Sequence, residues 1–301
     1  MKVGIYAPFA SGDLITSTPV LQYKNMLWPG ARIVWFVIEP AHRPNIASRD
    51  LLGFNPLVDE VRVIPPEASL LEHRDGHATN SVGHAISVPD ACLGRLRTRC
   101  EYTKDLDLCY FPAPWANCDK LDDKFAFIHR GVFKYDASLE VHPCLFFSED
   151  EDGKAKEMVS SLPFRKTIML ETRFTSGQSP WDDAATVEVT KTCRNRLGDC
   201  NFVFSSPGQA AKFAGKGVIG CDLLTIRQCI PVHNMCHLFL GSCSAVSSAT
   251  CSWSAKPIPR LDMIYRENIS SKYFARGAAD YATSLGDFCT KLDQILCKGI
   301  L

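Results

Sequence analysis

The chain alternates short apolar runs with longer stretches in which apolar residues recur every three or four positions. Lys2–Ala7 reads as a buried strand and leads into the loop Pro8-Phe9-Ala10-Ser11-Gly12-Asp13. Leu14, Ile15, Val20, Leu21 and Leu27 keep helical spacing as far as Pro29-Gly30, which predicts a helix over Leu14–Leu27. Arg32–Ile38 is a near-continuous apolar run, the pattern of a parallel strand covered on both faces. A helix over Arg43–Leu52 and a third strand over Val58–Ile64 complete a β-α-β-α-β succession. That order implies a doubly wound sheet with right-handed crossovers. Residues 65–89 are irregular and rich in Pro, Gly, Ser and His, and a loop of that length inside a domain is expected to be functional or mobile. Beyond them the pattern predicts a helix over Asp90–Tyr102, a strand over Leu106–Phe111, a helix over Asp122–Phe133 and a strand over Val141–Phe147.

The acidic stretch Ser148–Asp152 suits a helix N-terminus, where carboxylates complement the dipole, and that helix runs to Leu162-Pro163. The pattern then restarts. Thr167–Glu171 reads as a strand, Trp181–Leu197 contains a helix, and Asn201–Ser205 is a strand. A helix over Asp222–Val232, a short strand over His237–Leu240, a loop at Gly241–Ser244 and a helix over Ala245–Ser252 follow. Ala275–Leu296 reads as a terminal helical region. The expected class is α/β, with two Rossmann-like doubly wound domains facing a cleft. Their expected bounds are 1–146 and 147–280, with a terminal helix in 281–301 packing back.

Composition narrows the function. The 301 residues hold 46% hydrophobic and 22% charged residues, enough for two globular cores. Lys plus Arg equals Asp plus Glu, 33 against 33, which argues against nucleic acid as a partner. The alternating Arg95-Leu96-Arg97-Thr98-Arg99 fits a solvated helix face. No apolar run approaches the roughly 20 residues that span a bilayer, and the N-terminus enters a strand at once. A cytoplasmic location is expected, and peripheral contact with a membrane stays compatible with it. Fourteen cysteines include no C-x-x-C pair, so structural zinc and thioredoxin-type chemistry are not indicated. Cys221, Cys229, Cys236, Cys243 and Cys251 are read as reduced packing residues rather than metal ligands. Oligomeric state is not specified.

Three stretches carry candidate chemistry. Ser11-Gly12-Asp13 follows the first strand, where open α/β sheets gather ligands; Gly12 lets backbone approach a ligand, and Asp13 either caps the helix or faces the ligand. The second stretch, Glu171-Thr172-Arg173-Phe174-Thr175-Ser176-Gly177-Gln178-Ser179-Pro180-Trp181, leaves the first strand of the second half. It reads as a polar surface loop or as an anion site built on Arg173, with Ser176, Gln178 and Ser179 as hydrogen-bonding support. The third, Gly241-Ser242-Cys243-Ser244-Ala245-Val246-Ser247, joins a strand to a helix through small residues, an arrangement suited to phosphate.

In order, these stretches resemble family 9 (heptosyltransferase-type) glycosyltransferases. Gly12-Asp13-Leu14-Ile15-Thr16-Ser17-Thr18-Pro19-Val20-Leu21 is similar to the G-D-x-x-x-x-x-P-x-L helix of that family. Trp28-Pro29-Gly30-Ala31-Arg32-Ile33 is similar to its P-x-A-x-I turn, and Asn55-Pro56-Leu57-Val58-Asp59-Glu60-Val61 to its N-P-x-V-D-E-V segment. Thr172, Arg173 and Trp181 fit its phosphate-contacting loop, although the basic residue before the Trp is missing. The Ser242–Ser247 turn resembles its donor loop with two departures, Cys243 for the loop Asp and Ala245 for the Gly. Leu223-Leu224-Thr225-Ile226-Arg227-Gln228 resembles its L-x-x-L-x-x start, and Pro257 its following turn.

The resemblance implies a GT-B fold and metal-independent, inverting transfer from a nucleotide-sugar donor to a glycan or glycolipid. Asp13 is implied as general base. Gly12, Thr172, Arg173, Ser176, Gln178, Ser242, Ser244 and Ser247 are implied as donor-binding residues. An epimerase of similar architecture, a non-catalytic nucleotide- or glycan-binding protein and a metal-dependent transferase are the rival readings. The motif Asp105-Leu106-Asp107, the group His73, His77, His84 and Asp75, and Trp115 as a sugar platform are weaker signals, and Gly215-Lys216-Gly217 lacks phosphate-loop spacing.

Overall fold

The computed structural model describes residues 1–6, 11–38, 49–64, 102–110, 133, 142–173, 179–242, 244–265 and 279–298, without the side chains of Asp13, Ile38, Ala279 and Asp280. The chain divides into two compact units, Met1–Phe146 and Phe147–Leu301. The expected helices over 90–102 and 122–133, most of that over 43–52, and the loop 65–89 fall mainly outside the described residues.

The first unit holds a parallel sheet of β1 (Lys2–Tyr6), β2 (Arg32–Ile38), β3 (Glu60–Ile64) and β4 (Leu108–Tyr110), in the order β3-β2-β1-β4. Ile33 to Val37 are all buried, as the apolar run requires. Gly4 sits where β1 is crowded: a Cβ there would stand 2.5 Å from Leu106 Cδ1 and 3.0 Å from Phe36 Cε2.

The helix expected over Leu14–Leu27 starts earlier and is broken. Helix α1 spans Ser11–Ser17, a 3₁₀ segment Thr18–Tyr23 follows, and α2 covers Lys24–Leu27. Pro19 is the cause, because it has no N–H for the Ile15 carbonyl. The Thr18 hydroxyl donates to that carbonyl instead, at 2.7 Å. Its oxygen also accepts from the Cys144 N–H at 2.8 Å, and Asn55 Nδ2 donates to the Cys144 carbonyl at 2.8 Å.

The strand expected over Val141–Phe147 is not found among the described residues: residues 142–147 are mostly buried but join no ladder there. Asp59 exchanges two bonds with the Ile33 backbone, which extends the β2–β3 pairing. Several residues of the family-like motifs thus have plain structural work.

Among the described residues the second unit holds six parallel strands: β5 (Thr167–Glu171), β6 (Asn201–Phe204), β7 (Val218–Gly220), β8 (Leu238–Ser242), β9 (Arg260–Met263) and β10 (Ala279–Ala282). Their order, β10-β9-β8-β5-β6-β7, is the 3-2-1-4-5-6 arrangement of a Rossmann sheet counted from its own first strand. Helix α3 (Glu149–Ser160) opens on a capping box between Ser148 and Glu151. Helix α4 (Asp183–Leu197) is capped by Asp182, and the Trp181 ring packs edge-on against Phe288.

Short helices α5 (Gln209–Lys212), α6 (Cys229–Asn234) and α7 (Ala245–Ala249) precede the terminal α8 (Leu285–Cys297). Ile168, Leu170, Phe202, Phe204, Leu238 and Leu240 pack on one face with residues of α4 and α8. Met169, Val203 and Phe239 pack on the other with residues of α3 and α6. Covering both faces explains why these strands read as apolar runs.

Two expected helices change. Ala279–Ala282, inside the expected terminal helical region, is instead a strand laddered to β9. The expected helix over Asp222–Val232 starts only at Cys229, after a stretch in which a side chain takes the Thr225 N–H. Asp222 accepts from the Gly208 N–H, and Gln228 Oε1 from the Thr225 N–H at 3.0 Å. Arg227 turns inward onto Glu151, at 2.7 Å from Nη2 to Oε1. Burial works to raise the Glu151 carboxyl, but the Arg227 guanidinium and its cap bonds hold it down at about 2.

No helix among the described residues is long and apolar enough to cross a membrane.

Candidate functional site

In each sheet the strand order reverses beside the unit's first strand, and ligands of open α/β sheets bind outside the carboxyl ends of strands at such points. In the first unit the reversal lies between β1 and β4. The chain leaves β1 and re-enters described structure at Ser11, the first residue of α1. Gly12 and Asp13 therefore lie within the first helical turn, so the backbone of Asp13 is inside the helix and not at its cap. The Asp13 side chain lies outside the described residues, as do Trp115 and the His73, His77, His84 and Asp75 group.

In the second unit the reversal lies between β5 and β8, which carry two of the candidate stretches. The ladder pairs Glu171 with Gly241, so the next residues along the two strands are Thr172 and Ser242. Thr172 is 6% exposed and Ser242 fully buried. Neither hydroxyl has a hydrogen-bond partner among the described residues. Buried hydroxyls normally find one, which makes this pair, side by side at the strand ends, the candidate for contact with a further group.

Arg173 follows, exposed, and makes no ion pair among the described residues. Ser176 and Gln178 lie outside the described residues. Ser179 is buried, and its Oγ accepts from the Trp181 N–H at 3.3 Å. Trp181 is a core residue whose Nε1 donates to Thr186 Oγ1 at 2.8 Å.

The other two serines of the third stretch are engaged within the fold. Ser244 caps α7 by accepting from the Ser247 N–H at 3.1 Å. The Ser247 hydroxyl accepts from Arg260 Nη2 and donates to Asp262 Oδ1 at 3.2 Å. Arg260 is itself buried, bonded to Asp262 at 2.7 Å and to Thr250 Oγ1 at 3.1 Å, and it stacks on the Phe239 ring. Cys243 lies outside the described residues.

A second group of polar residues, which sequence reasoning missed, lies on the face of the sheet opposite Ser242. Glu171 ends β5 with its carboxylate buried. It accepts from Ser205 Oγ and from Ser206 Oγ, the latter at 3.0 Å. Ser206 Oγ in turn accepts from the Arg173 N–H at 3.0 Å. Burial pushes the Glu171 carboxyl up to about 7, against the pull of the two serines and the Arg173 N–H.

Gly241 makes room for this residue: a Cβ there would lie 2.9 Å from Glu171 Cβ and 2.8 Å from the Phe239 ring. The available signal was a charged residue closing an apolar run, Thr167-Ile168-Met169-Leu170-Glu171.

The discounted motifs have structural roles. Asp105 is paired with Arg62 at 2.6 Å and Asp107 accepts from the Lys2 N–H at 2.7 Å. Both precede β4, at the opposite strand ends from the reversal site, and the Arg62 bond holds the Asp105 carboxyl well below the usual range. Lys216 stands over the Phe164 ring in the turn before β7. Cys221, Cys229, Cys236 and Cys251 are buried thiols outside any disulfide, and no group of potential metal ligands occurs among the described residues.

No family model matches the chain. No curated protein matches it either. Solved structures do. The family 9 glycosyl transferase of Veillonella parvula superposes with a TM-score of 0.60 at 13% identity, covering 99% of this chain and 95% of that one. ADP-heptose lps heptosyltransferase II of E. coli gives 0.57 at 14% identity, over 100% of both chains. E. coli heptosyltransferase WaaC, solved with ADP-2-deoxy-2-fluoro heptose, gives 0.57 at 10% identity, over 99% of this chain and 100% of that one. The chain therefore has the α/β, GT-B-type fold of these glycosyltransferases, which is the fold class expected from its sequence.

Proposed function

We propose that the chain is a glycosyltransferase that moves a sugar from a nucleotide-sugar donor to a hydroxyl of a glycan or glycolipid, with inversion and without a metal. One observation carries the reading. At the strand-order reversal of the second sheet, an exposed Arg173 stands next in sequence to Thr172, whose buried hydroxyl, like that of Ser242, lacks a partner among the described residues. A diphosphate suits this group, because a guanidinium pairs phosphate oxygens through parallel N–H donors and hydroxyls donate to the rest.

The acceptor oxygen attacks the anomeric carbon from the face opposite the diphosphate. Its proton passes to Asp13, and the broken C–O bond leaves its electron pair on the diphosphate. A general base contributes about 10²–10⁴-fold to such a step. The charge growing on the leaving group is met by Arg173, a cation already in place. Ser176, Gln178 and Ser244 support the donor, and Gly12 gives it backbone access; Ser247, whose N–H and hydroxyl are both used within the fold, acts by holding the turn in shape. ADP-heptose is the first donor to test, since heptosyltransferases of this fold are solved with its analogue. A cytoplasmic site of action belongs to the same proposal.

The test is a thermal-shift panel of nucleotides and nucleotide sugars, repeated on Arg173→Ala. A hit that survives that substitution unchanged removes the donor from Arg173. Asp13→Asn is expected to keep nucleotide binding and lose transfer, and transfer by that variant would rule Asp13 out as the base. Activity is expected to persist in EDTA; loss restored by a divalent cation overturns metal independence. The departures of the donor loop at Cys243 and Ala245, and the missing basic residue before Trp181, favour a second reading, a non-catalytic nucleotide- or glycan-binding protein. That reading predicts nucleotide-dependent stabilisation with no transfer by the unmodified protein.

A further inference from the structure

The buried Glu171 carboxylate has no place in the chemistry above, yet it is costly to keep. Among the described residues no cation pairs with it, and a carboxylate held away from water by neutral donors alone is disfavoured. An apolar residue would close the strand Thr167-Ile168-Met169-Leu170 at less cost. What the carboxylate does is fix a hydroxyl.

Ser206 donates its only hydroxyl proton to Glu171 Oε1, at 3.0 Å. The lone pairs of the same oxygen are then turned toward the Arg173 N–H, also at 3.0 Å. Chains of this kind polarise each member and hold it in one orientation. The chain joins the end of β5 to the turn after β6, and it ends on the backbone of Arg173, an exposed residue two positions past the ladder pair Glu171–Gly241.

We propose that Ser206 and Glu171 are positioning residues for the anion subsite: they anchor the backbone of Arg173, so that less of the residue is left for the diphosphate to order. This rests on the donor reading given above. An unanchored Arg173 has to be immobilised by the ligand itself, and affinity falls by that ordering cost.

The experiment is calorimetric titration of the full chain with ADP, with UDP, GDP and inorganic pyrophosphate as further probes. The variants are Arg173→Ala, Ser206→Ala, Ser206→Thr and the double variant Arg173→Ala/Ser206→Ala. Arg173→Ala is expected to weaken binding about tenfold or more, as loss of a charged hydrogen-bonding partner does. Ser206→Ala is expected to weaken it about three- to tenfold, and the double variant to bind no more weakly than Arg173→Ala, because coupled residues do not add.

Ser206→Thr keeps the hydroxyl and is expected to restore affinity, a rescue that mere loss of packing would not show. If Arg173→Ala weakens binding while Ser206→Ala does not, or the two effects add, the positioning role is wrong and the donor reading stands. If Arg173→Ala changes nothing, or none of the four probes binds the unmodified protein, the donor reading falls and this inference with it.

Discussion

Glu171→Gln isolates the cost of burying a carboxylate at the end of β5. Burial raises the Glu171 carboxyl to about 7 in the folded chain, and the Asp262 charge adds to that, while Ser205, Ser206 and the Arg173 N–H work the other way. In the unfolded chain a glutamate titrates near 4.3. Between those values the folded state holds a proton that the unfolded state has released, so stability falls as pH rises. At about 1.4 kcal/mol per pH unit, the loss across the whole window is about 4 kcal/mol, of which about 3 kcal/mol falls between pH 5 and pH 8. Glutamine fills the same volume and keeps an acceptor for the serines, but it does not titrate.

Urea denaturation of both proteins at pH 5 and pH 8, followed by circular dichroism, reads the difference directly. The stability of the variant relative to the unmodified chain is expected to be more favourable at pH 8 than at pH 5 by about 3 kcal/mol. Groups that titrate alike in both proteins cancel in that comparison. Parallel stability curves across this range would refute the reasoning and mean that Glu171 is better solvated than its burial implies.

Arg227→Met leaves the buried Glu151 carboxylate unpaired and is expected to destabilise the second unit by about 3–5 kcal/mol in urea at pH 7. Because Glu151 is held down at about 2, its stabilisation is full above the ordinary carboxylate range and fades as pH falls toward 2, so the gap between variant and unmodified chain is expected to narrow there. Gly4→Ala forces a Cβ to 2.5 Å from Leu106 Cδ1 and is expected to lower the melting temperature of the first unit. The overpacking cost is about 1–3 kcal/mol. Asp105→Asn breaks an ion pair at the amino ends of the first sheet and is expected to leave nucleotide affinity unchanged, measured in the same thermal-shift assay.

Local pattern alone determined a good part of this protein. The strands Arg32–Ile38 and Thr167–Glu171 have the bounds their apolar runs predict, because a strand covered on both faces writes its burial into consecutive residues. The start of α3 was equally legible, since a capping box needs only four neighbouring residues. Short or weakly patterned elements were not. The strands Val218–Gly220, Arg260–Met263 and Ala279–Ala282 exist through their ladder partners, and Ala279–Ala282 carries a helix-favouring pattern that pairing with β9 overrides.

Residues 142–147 show the converse: a strand-like sequence joins no ladder among the described residues, and the backbone of Cys144 at its centre bonds instead to the side chains of Thr18 and Asn55, remote in sequence. The candidate site divides in the same way. Arg173 was visible as a lone cation after a strand, whereas Glu171 and Ser206 acquire meaning only from the β5–β6 pairing that brings them together across 35 positions. Hydrophobic periodicity is a property of neighbours in sequence, but a hydrogen-bonded chain is a property of neighbours in space, and only folding decides which residues those are.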